Sequence, residues 1–484
     1  MECRSVASPG IWGLTNLSTR KLIRLNGFKQ STVSHAAVGA WRHPDNQSHR
    51  YRELDYWIET ARTLEEGLFD GLFVADVLGV LDTHGGSIAG TLKQGVQTPS
   101  TDPLLAVSAM AAATRHLGFA ITVSTTYEQP YALARKLTTL DHLTGGRIGW
   151  NIVTSALESA ARNLGHDAQI PHDERYAIAE EFLEVVYKLW EGSWEEDAVI
   201  MDRATGIFAD PAKVHPIRHK GRYFSVPDAF LAEPSPQRTP VLFQAGVSGV
   251  GREFAARHAE GVFIAVHRPD LARKIVDDVR ARAERLGRDP QGLKFFAMAT
   301  VVTGADDAEA QATHDAYRKV ISTEGHLARL SAILQLDLSR LDPDQPLEYV
   351  ETQGIRSVLD IYTRLDPTRR WTPRAIGEFL GIAGGGAEIV GGPSKAADQL
   401  EAWFDEAGID GFNITDPMPL KSFPDFNRHV LPELRRRGRV RERYEGATYR
   451  EQFQGEGHPR LPAEHPGSRY RRFHELADKE LTPA

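Results

Sequence analysis

The 484-residue chain has a single cysteine, Cys3, and no long hydrophobic run. One cysteine excludes internal disulfides and cysteine-rich metal or iron–sulfur sites. The longest apolar stretches, such as 71–75 and 262–266, have the length of strands, whereas a membrane-spanning helix needs about 18–20 apolar residues. Acidic residues outnumber basic ones, 65 to 57, and the net charge of −8 argues against general nucleic-acid binding. We therefore expect a cytoplasmic protein that binds neither membranes nor nucleic acid.

Several motifs with known chemistry are also missing. There is no H-E-x-x-H, and the histidines do not cluster with other ligands at zinc spacings. There is no G-x-S-x-G nucleophile elbow. The glycine-rich segment GVSGVG at 246–251 has the spacing of neither the dinucleotide fingerprint nor the P-loop. We therefore expect no metal site, no serine nucleophile of that type and no dinucleotide-binding turn.

Strand-like runs that alternate with helix-like segments are what the chain does contain. The apolar, β-rich runs are 22–28, 71–76, 117–125, 147–154, 241–246, 261–266, 293–303 and 411–416. The segments with apolar spacing of three and four are 53–66, 103–115, 132–143, 173–190, 251–259, 271–286, 306–321 and 394–407. Such alternation is typical of a parallel sheet covered by helices. It predicts an α/β protein with a (β/α)8 TIM barrel, and a doubly wound sheet is the alternative.

The remaining length is predicted to decorate one barrel domain, which spans 21–439. Residues 1–20 lack the features of a secretory signal and are expected to form a disordered leader. Two large insertions, 191–239 and 322–386, are expected at the C-terminal face of the strands, where insertions roof a catalytic site. Residues 440–484 are polar and are expected to form an extended C-terminal tail.

Polar residues at the ends of the second, third and fourth runs are candidates for a site, because barrel enzymes use these ends. They are Asp76, Ser124 and Asn151. Asn151 lies within an apolar strand and needs a partner, since a buried unsatisfied amide costs about 1–3 kcal/mol. Capping and core hydrogen bonds are equally open interpretations for these side chains.

Two helix starts combine features that favour an anion. His172, Arg175 and Tyr176 lie in the first turn of one predicted helix, where free N–H groups and the helix dipole attract negative charge. The segment QAGVSGVG leads into another helix, and Ser248 there could donate to a phosphate. A simple helix cap at Asp173 is the alternative for the first.

The segments HAAVGAWRHP, GLFDGLFVADVLGVLD, GGRIGWNIVTS, AARNLG, HDERY, QAGVSGVG and YEGATYRE identify a resemblance. They resemble the two-component, reduced-flavin monooxygenases of the bacterial luciferase-like superfamily. The similar subgroup contains the nitrilotriacetate, dibenzothiophene-sulfone and dimethyl-sulfide monooxygenases. The resemblance spans about 22–450 and implies a luciferase-like barrel.

That resemblance implies a cofactor, partners and residue roles. FMN, as FMNH2, is supplied by a separate NAD(P)H-dependent flavin reductase, which agrees with the missing dinucleotide motif, and homodimers or homotetramers are expected. The implied contacts to the flavin ring and ribityl chain are Asp76, Ser124 and Asn151, and those to the phosphate are His172, Tyr176 and Ser248. The implied substrate-side residues are Phe28, Phe73, Phe263 and His326, with His35 as the catalytic candidate.

The implied reaction oxygenates a small substrate with O2 through a flavin 4a-hydroperoxide. His35 is expected to act there as a hydrogen-bond donor or proton carrier, since imidazole changes charge near neutral pH; a structural histidine is the alternative. The quoted segments look most like those of the dimethyl-sulfide and dibenzothiophene-sulfone enzymes. This resemblance favours a small organosulfur compound, a sulfide or sulfone, as the substrate, with carbon–sulfur cleavage. Carbon–nitrogen cleavage of an aminopolycarboxylate such as nitrilotriacetate, and a non-catalytic flavin-binding subunit, are the alternatives.

Overall fold

The computed structural model describes residues 21–472, except 247, 351, 353, 367 and 368. The predicted leader 1–20 and residues 473–484 of the predicted tail lie outside the described residues. The strands are β1 Arg24–Gln30, β2 Gly71–Ala75, β3 Gly118–Ser124, β4 Ile148–Val153, β5 Val199–Asp202, β6 Ile207–Ala209, β7 His219–Lys220, β8 Ser225–Val226, β9 Val241–Gln244, β10 Gly261–Ile264, β11 Lys294–Val302, β12 Ala387–Val390 and β13 Gly411–Thr415.

The α-helices are α1 Leu54–Glu66, α2 Ala89–Gln94, α3 Val107–Ala112, α4 Pro130–Thr144, α5 Glu158–Asn163, α6 His172–Tyr187, α7 Gly249–His258, α8 Pro269–Arg285, α9 Asp307–Arg318, α10 Thr323–Leu334, α11 Arg356–Asp360, α12 Pro373–Leu380, α13 Pro393–Ala407, α14 Ser422–Asp425, α15 Leu431–Arg436 and α16 Tyr449–Gln454. Within the described residues, none of these helices is both long and apolar enough to cross a membrane.

A closed barrel of parallel strands forms the centre of the molecule. In the described chain its eight strands follow the order β1, β2, β3, β4, β9, β10, β11 and β13, and β13 pairs with β1 to close it. Each predicted run and each predicted helical segment coincides with an observed element, so the predicted (β/α)8 barrel is confirmed. The short strand β12 pairs with the end of β11 and is not predicted, because four residues are too few to show a period.

The strands are apolar on both faces because helices cover their outer side and aromatic rings fill the barrel. The interior rings come from strands on different sides of the barrel and from the C-terminal segment, and they include Phe28, Phe73, Phe243, Phe296 and Tyr449. On the outside, α1 buries its apolar stripe against the sheet. The core therefore ends, at the carboxyl ends of the strands, in a layer of phenylalanines.

The two insertions lie in different places. The segment 322–386 contributes α10, α11 and α12, which cover the carboxyl ends of the strands. The segment 191–239 differs from the expectation, because it follows a helix, and a helix returns the chain to the amino ends of the strands. It runs along the outer side of α6, where Glu181 accepts hydrogen bonds from the backbone of Tyr223 and Phe224. Only the later insertion therefore roofs the site.

The segment 440–472 closes the amino end of the barrel. Helix α16 inserts Tyr449 against the first residues of the barrel strands, including Gly71 and Gly118. The next residue, Arg450, forms a fully buried ion pair with Glu260 at 2.7 Å. With this end filled, the opposite end is the open one, as in other barrels of this type.

Candidate active site

Three phenylalanines at the carboxyl ends of the strands form one wall of a cavity of about 220 Å³. Phe28 on β1 lies 5.6 Å from Phe73 on β2 and 4.9 Å from Phe263 on β10, between ring centroids. These edge-on and tilted contacts fix the rings in place. Three of the four residues predicted on the substrate side therefore lie together on one cavity.

His35, in the loop after β1, lines the same cavity. Burial, reinforced by the positive charge of Arg329, lowers the pKa of His35 to about 3. The imidazole is therefore neutral at physiological pH, where it can donate one hydrogen bond but does not carry a positive charge. Of the two roles expected from the sequence, the structure favours hydrogen bonding over proton carriage.

Asp76 follows β2 at a point where this cavity meets two others. One, of about 450 Å³, extends along Thr98–Asp102 and the end of β3. The other, of about 220 Å³, extends to the starts of α6 and α7. Burial, with a smaller contribution from the negative charge of Asp102, raises the pKa of Asp76 to about 7. A ligand N–H or O–H that donates a hydrogen bond to this carboxyl group would stabilise its charged form.

Asn151 and Ser124 lie on the neighbouring strands β4 and β3. The amide nitrogen of Asn151 donates to Thr122 Oγ1 at 2.8 Å, whereas its buried Oδ1 has no hydrogen-bond partner in the part of the chain that the structure describes. Ser124 is buried, and its hydroxyl accepts a hydrogen bond from Ser155 at 2.9 Å. Since buried polar atoms in proteins are nearly always paired, the Asn151 oxygen is a candidate for ligand contact.

The starts of α6 and α7 converge on the third cavity. His172, Arg175, Tyr176 and Ser248 line it. Tyr176 and Ser248 are hydrogen-bonded through their side chains, and burial raises the pKa of the tyrosine. A side chain at Gly246 would place its Cβ 2.6 Å from Tyr176 Oη, so a residue without a side chain lets the backbone approach closely. Two helix N-termini, a guanidinium and hydroxyl groups form a natural anion site.

His326 is the one predicted residue that lies away from the cavities. It is fully buried in α10, and its Nε2 is 2.8 Å from the carbonyl oxygen of Gly381. The side chain of Arg329, three residues further along the same helix, lines the aromatic cavity instead. The rest of this roof comes from Leu330, Ile333, Tyr362 and Leu380.

Arg329, Tyr362 and His267 are cavity residues that the sequence did not indicate. Arg329 and Tyr362 belong to the insertion, where no strand register says which helical positions face inward. His267 follows β10, and its Nε2 is 3.4 Å from Asp366. Its position directly after a predicted strand run was the only feature of the sequence that could have indicated a site residue there.

The connected cavities match the parts of an FMN molecule. The anion site suits the phosphate, and Asp76 lies between that site and the aromatic cavity. Ser124 lines the neighbouring cavity of about 450 Å³. The Asn151 oxygen, which has no hydrogen-bond partner among the described residues, suits a ring N–H. The aromatic cavity is continuous with this path through Asp76. The described residues therefore fit a flavin beside a mainly apolar substrate cavity.

Comparison with known proteins agrees with this geometry. The family model "Luciferase-like monooxygenase" matches residues 32–411. The dimethyl-sulfide monooxygenase of Hyphomicrobium sulfonivorans is 47% identical over 93% of this chain and 94% of its own. Its crystal structure superposes with a TM-score of 0.87, covering 96% of this chain and 99% of the other.

Two further relatives are similar over nearly the whole chain. The long-chain alkane monooxygenase of Geobacillus thermodenitrificans is 46% identical over 93% of this chain and 98% of its own, and a long-chain alkane monooxygenase structure gives a TM-score of 0.87. A riboflavin lyase crystallised with modified FMN and riboflavin is 36% identical, with a TM-score of 0.88 over 93% of this chain and 100% of the other.

Proposed function

Because the chain belongs to the luciferase-like monooxygenase family, we propose that it oxygenates a small organosulfur compound, a sulfide or sulfone, using reduced FMN and O2, with carbon–sulfur cleavage. One oxygen atom of O2 enters the substrate and the other leaves as water. A separate NAD(P)H-dependent flavin reductase supplies the FMNH2. A cytoplasmic location and a homodimer or homotetramer stay predictions.

The observation that carries this proposal is the aromatic cavity that adjoins the anion site at Asp76. Reduced FMN, when bound, supplies the electrons for O2 activation. The protein's part is to hold the phosphate with Tyr176 and Ser248 and to seat the ring against Asn151. Phe28 and Phe263 exclude water and pack against the apolar part of the substrate.

The cavity size and charge favour a small, weakly charged substrate. The cavity volume of about 220 Å³, part of which a flavin ring against Asn151 would take up, lies below the roughly 300–1,000 Å³ typical of pockets for drug-sized ligands. Nitrilotriacetate has three carboxylates and would require several cations. Among the described residues that line the aromatic cavity, Arg329 is the only lysine or arginine. The carbon–nitrogen alternative is therefore less well supported.

The experiment is turnover of a substrate panel by the purified chain with a flavin reductase, NADH, FMN and ¹⁸O2. The panel contains dimethyl sulfide, dibenzothiophene sulfone, nitrilotriacetate and hexadecane, the last because of the similarity to an alkane monooxygenase. We expect ¹⁸O in products of the sulfur compounds. Labelled products from only the amine or only the alkane would overturn the organosulfur proposal. Tight anaerobic binding of FMNH2 without any product would favour a non-catalytic flavin-binding subunit.

A further inference from the structure

The half-buried Arg329 differs from two buried arginines of this chain, because its guanidinium has no hydrogen-bond or ion-pair partner among the described residues. Arg450 pairs with Glu260 at 2.7 Å, and Arg147 donates to several backbone carbonyls. The Nε of Arg329 is buried and has no hydrogen-bond partner among the described residues. No described carboxylate lies within ion-pair distance of it either.

The surroundings of Arg329 disfavour its charged form. Burial lowers the pKa of Arg329 to about 10, and the phenol of Tyr362 offsets this shift only in part. It lies close enough to His35 and His326 to lower the pKa of both. Breaking a buried ion pair by removing one partner typically destabilises a protein by about 3–5 kcal/mol, so an unpaired buried cation calls for a ligand that completes it.

Arg329 enters the cavity from the roof, opposite the strands that carry the phenylalanine wall. The anion site for the flavin phosphate has its own arginine, Arg175, on α6. Asp76, at the junction with that site, is affected electrostatically by Asp102, and no ion pair joins it to Arg329. The unpaired cation therefore belongs to the substrate end of the path.

We propose that Arg329 binds a single acidic group, a carboxylate or sulfonate, on the substrate, which makes the natural substrate an acidic thioether or a close relative of one. The guanidinium offers paired donors that match a planar carboxylate or a sulfonate face. The phenylalanine wall packs against the thioether end. This inference rests on the proposed function, because it names the class of organosulfur substrate for the same cavity.

The test measures equilibrium binding to the full chain loaded with FMNH2 under anaerobic conditions, so that no turnover occurs. The probes are 3-(methylthio)propanoate, 2-(methylthio)ethanesulfonate and the uncharged 3-(methylthio)propanamide. We expect the better of the two acids to bind at least about tenfold tighter than the amide, as a charge-assisted contact would give. The two acid probes decide between carboxylate and sulfonate. Equal affinity for both acids and the amide would overturn the inference.

Variants locate the effect at one side chain. Arg329→Met should abolish the preference for the acid and leave amide binding unchanged, whereas Arg329→Lys should keep part of it. Arg340→Met is the matched control, because Arg340 lies in the same insertion and its side chain is 84% exposed. If Arg329→Met instead weakens FMNH2 binding and keeps the acid preference, the arginine contacts the flavin and the inference is wrong.

Admitting O2 separates this inference from the proposed function. Oxidation of the neutral sulfides alone, with no preference for acids, would defeat the inference and leave the organosulfur proposal intact. Tight, Arg329-dependent binding of the acids with no oxidation of any sulfur compound would support the acid-binding role and defeat the proposed function.

Discussion

The imidazole of His35 lies edge-on to the ring of Phe28, with the ring centroids 4.9 Å apart and the planes at 74°. This contact holds the histidine in the aromatic wall, and burial lowers its pKa to about 3. The group therefore does not titrate between pH 5 and 9. Any contribution it makes to catalysis should be constant across that range.

His35→Ala should impair oxygenation much more than flavin binding, because the imidazole lies beside the substrate wall. Loss of one positioned hydrogen bond would reduce single-turnover product formation by about ten- to a hundredfold. His35→Gln, which keeps an N–H donor, should recover part of the loss. Rates are measured with saturating FMNH2 from pH 6 to 9, beside the anaerobic dissociation constant for FMNH2. Unchanged turnover of the alanine variant would remove His35 from the mechanism.

The raised pKa of Asp76 predicts a pH-dependent loss of stability in the flavin-free enzyme. The folded state holds the proton up to about pH 7, while the unfolded chain releases it near pH 4. Stability is therefore fully present below the unfolded pKa and falls as pH rises towards 7. Asp76→Asn does not titrate at this position. Its free energy of unfolding, relative to that of wild type, should therefore rise by about 2 kcal/mol from pH 5 to pH 8.

Urea unfolding at pH 5 and pH 8 measures this difference. Asp277→Asn, at an exposed position on α8, is the control and should follow wild type at both pH values. A constant gap between Asp76→Asn and wild type across that range would show that the carboxyl titrates normally.

An unpaired charged residue that serves ligand binding should lower the free energy of unfolding of the ligand-free protein. Arg329→Met removes a half-buried cation that has no partner among the described residues and keeps most of the side-chain volume, so it should stabilise the flavin-free protein by about 1–3 kcal/mol. Arg340→Met should change the free energy of unfolding by less than about 0.5 kcal/mol. Both are measured by urea unfolding at pH 7. Destabilisation by Arg329→Met would mean that the guanidinium has a structural role.

The barrel and the strand-end residues could be predicted because they follow from local patterns. Buried strands and amphipathic helices have fixed periods, and a (β/α)8 barrel places strand ends such as Asp76 and Asn151 on one rim. The roof follows no such rule. His326 and Arg329 are one turn apart on α10, and only the tertiary packing of the insertion decides that Arg329 lines the cavity. The charge of the substrate cavity was therefore not predictable from the strand tips.

Tyr176 and Ser248 should distinguish FMN from riboflavin, because the two ligands differ only by the phosphate. Tyr176→Phe and Ser248→Ala should each weaken FMN binding by about tenfold, the effect of one hydrogen bond to a charged group. Riboflavin affinity should stay within about twofold of wild type, since the proposed site assigns these residues to the phosphate and not to the ribityl chain. Fluorescence titration of wild type and both variants with the two flavins gives the six dissociation constants. Equal losses for riboflavin would place the phosphate elsewhere.

The C-terminal segment should be part of the folding unit of the barrel and not an appendage. A Cβ atom on Gly118, at the start of β3, would lie only 2.3 Å from Cδ2 of Tyr449, whose side chain is fully buried. The ring cannot move easily, because its centroid is 5.1 Å from Phe453 and 5.9 Å from Phe243. Gly118→Ala should therefore lower the free energy of unfolding by about 1–3 kcal/mol, the usual effect of overpacking.

The clash can be separated from the loss of glycine itself. Gly90→Ala is the control, because a Cβ there meets no atom within 4 Å, and in a helix it should be neutral or stabilising. Tyr449→Ala should cost about 3–5 kcal/mol alone, and adding Gly118→Ala to it should cost less than Gly118→Ala costs in wild type. Additive effects in this double-mutant cycle, measured by urea unfolding, would mean that the two residues do not compete for the same space.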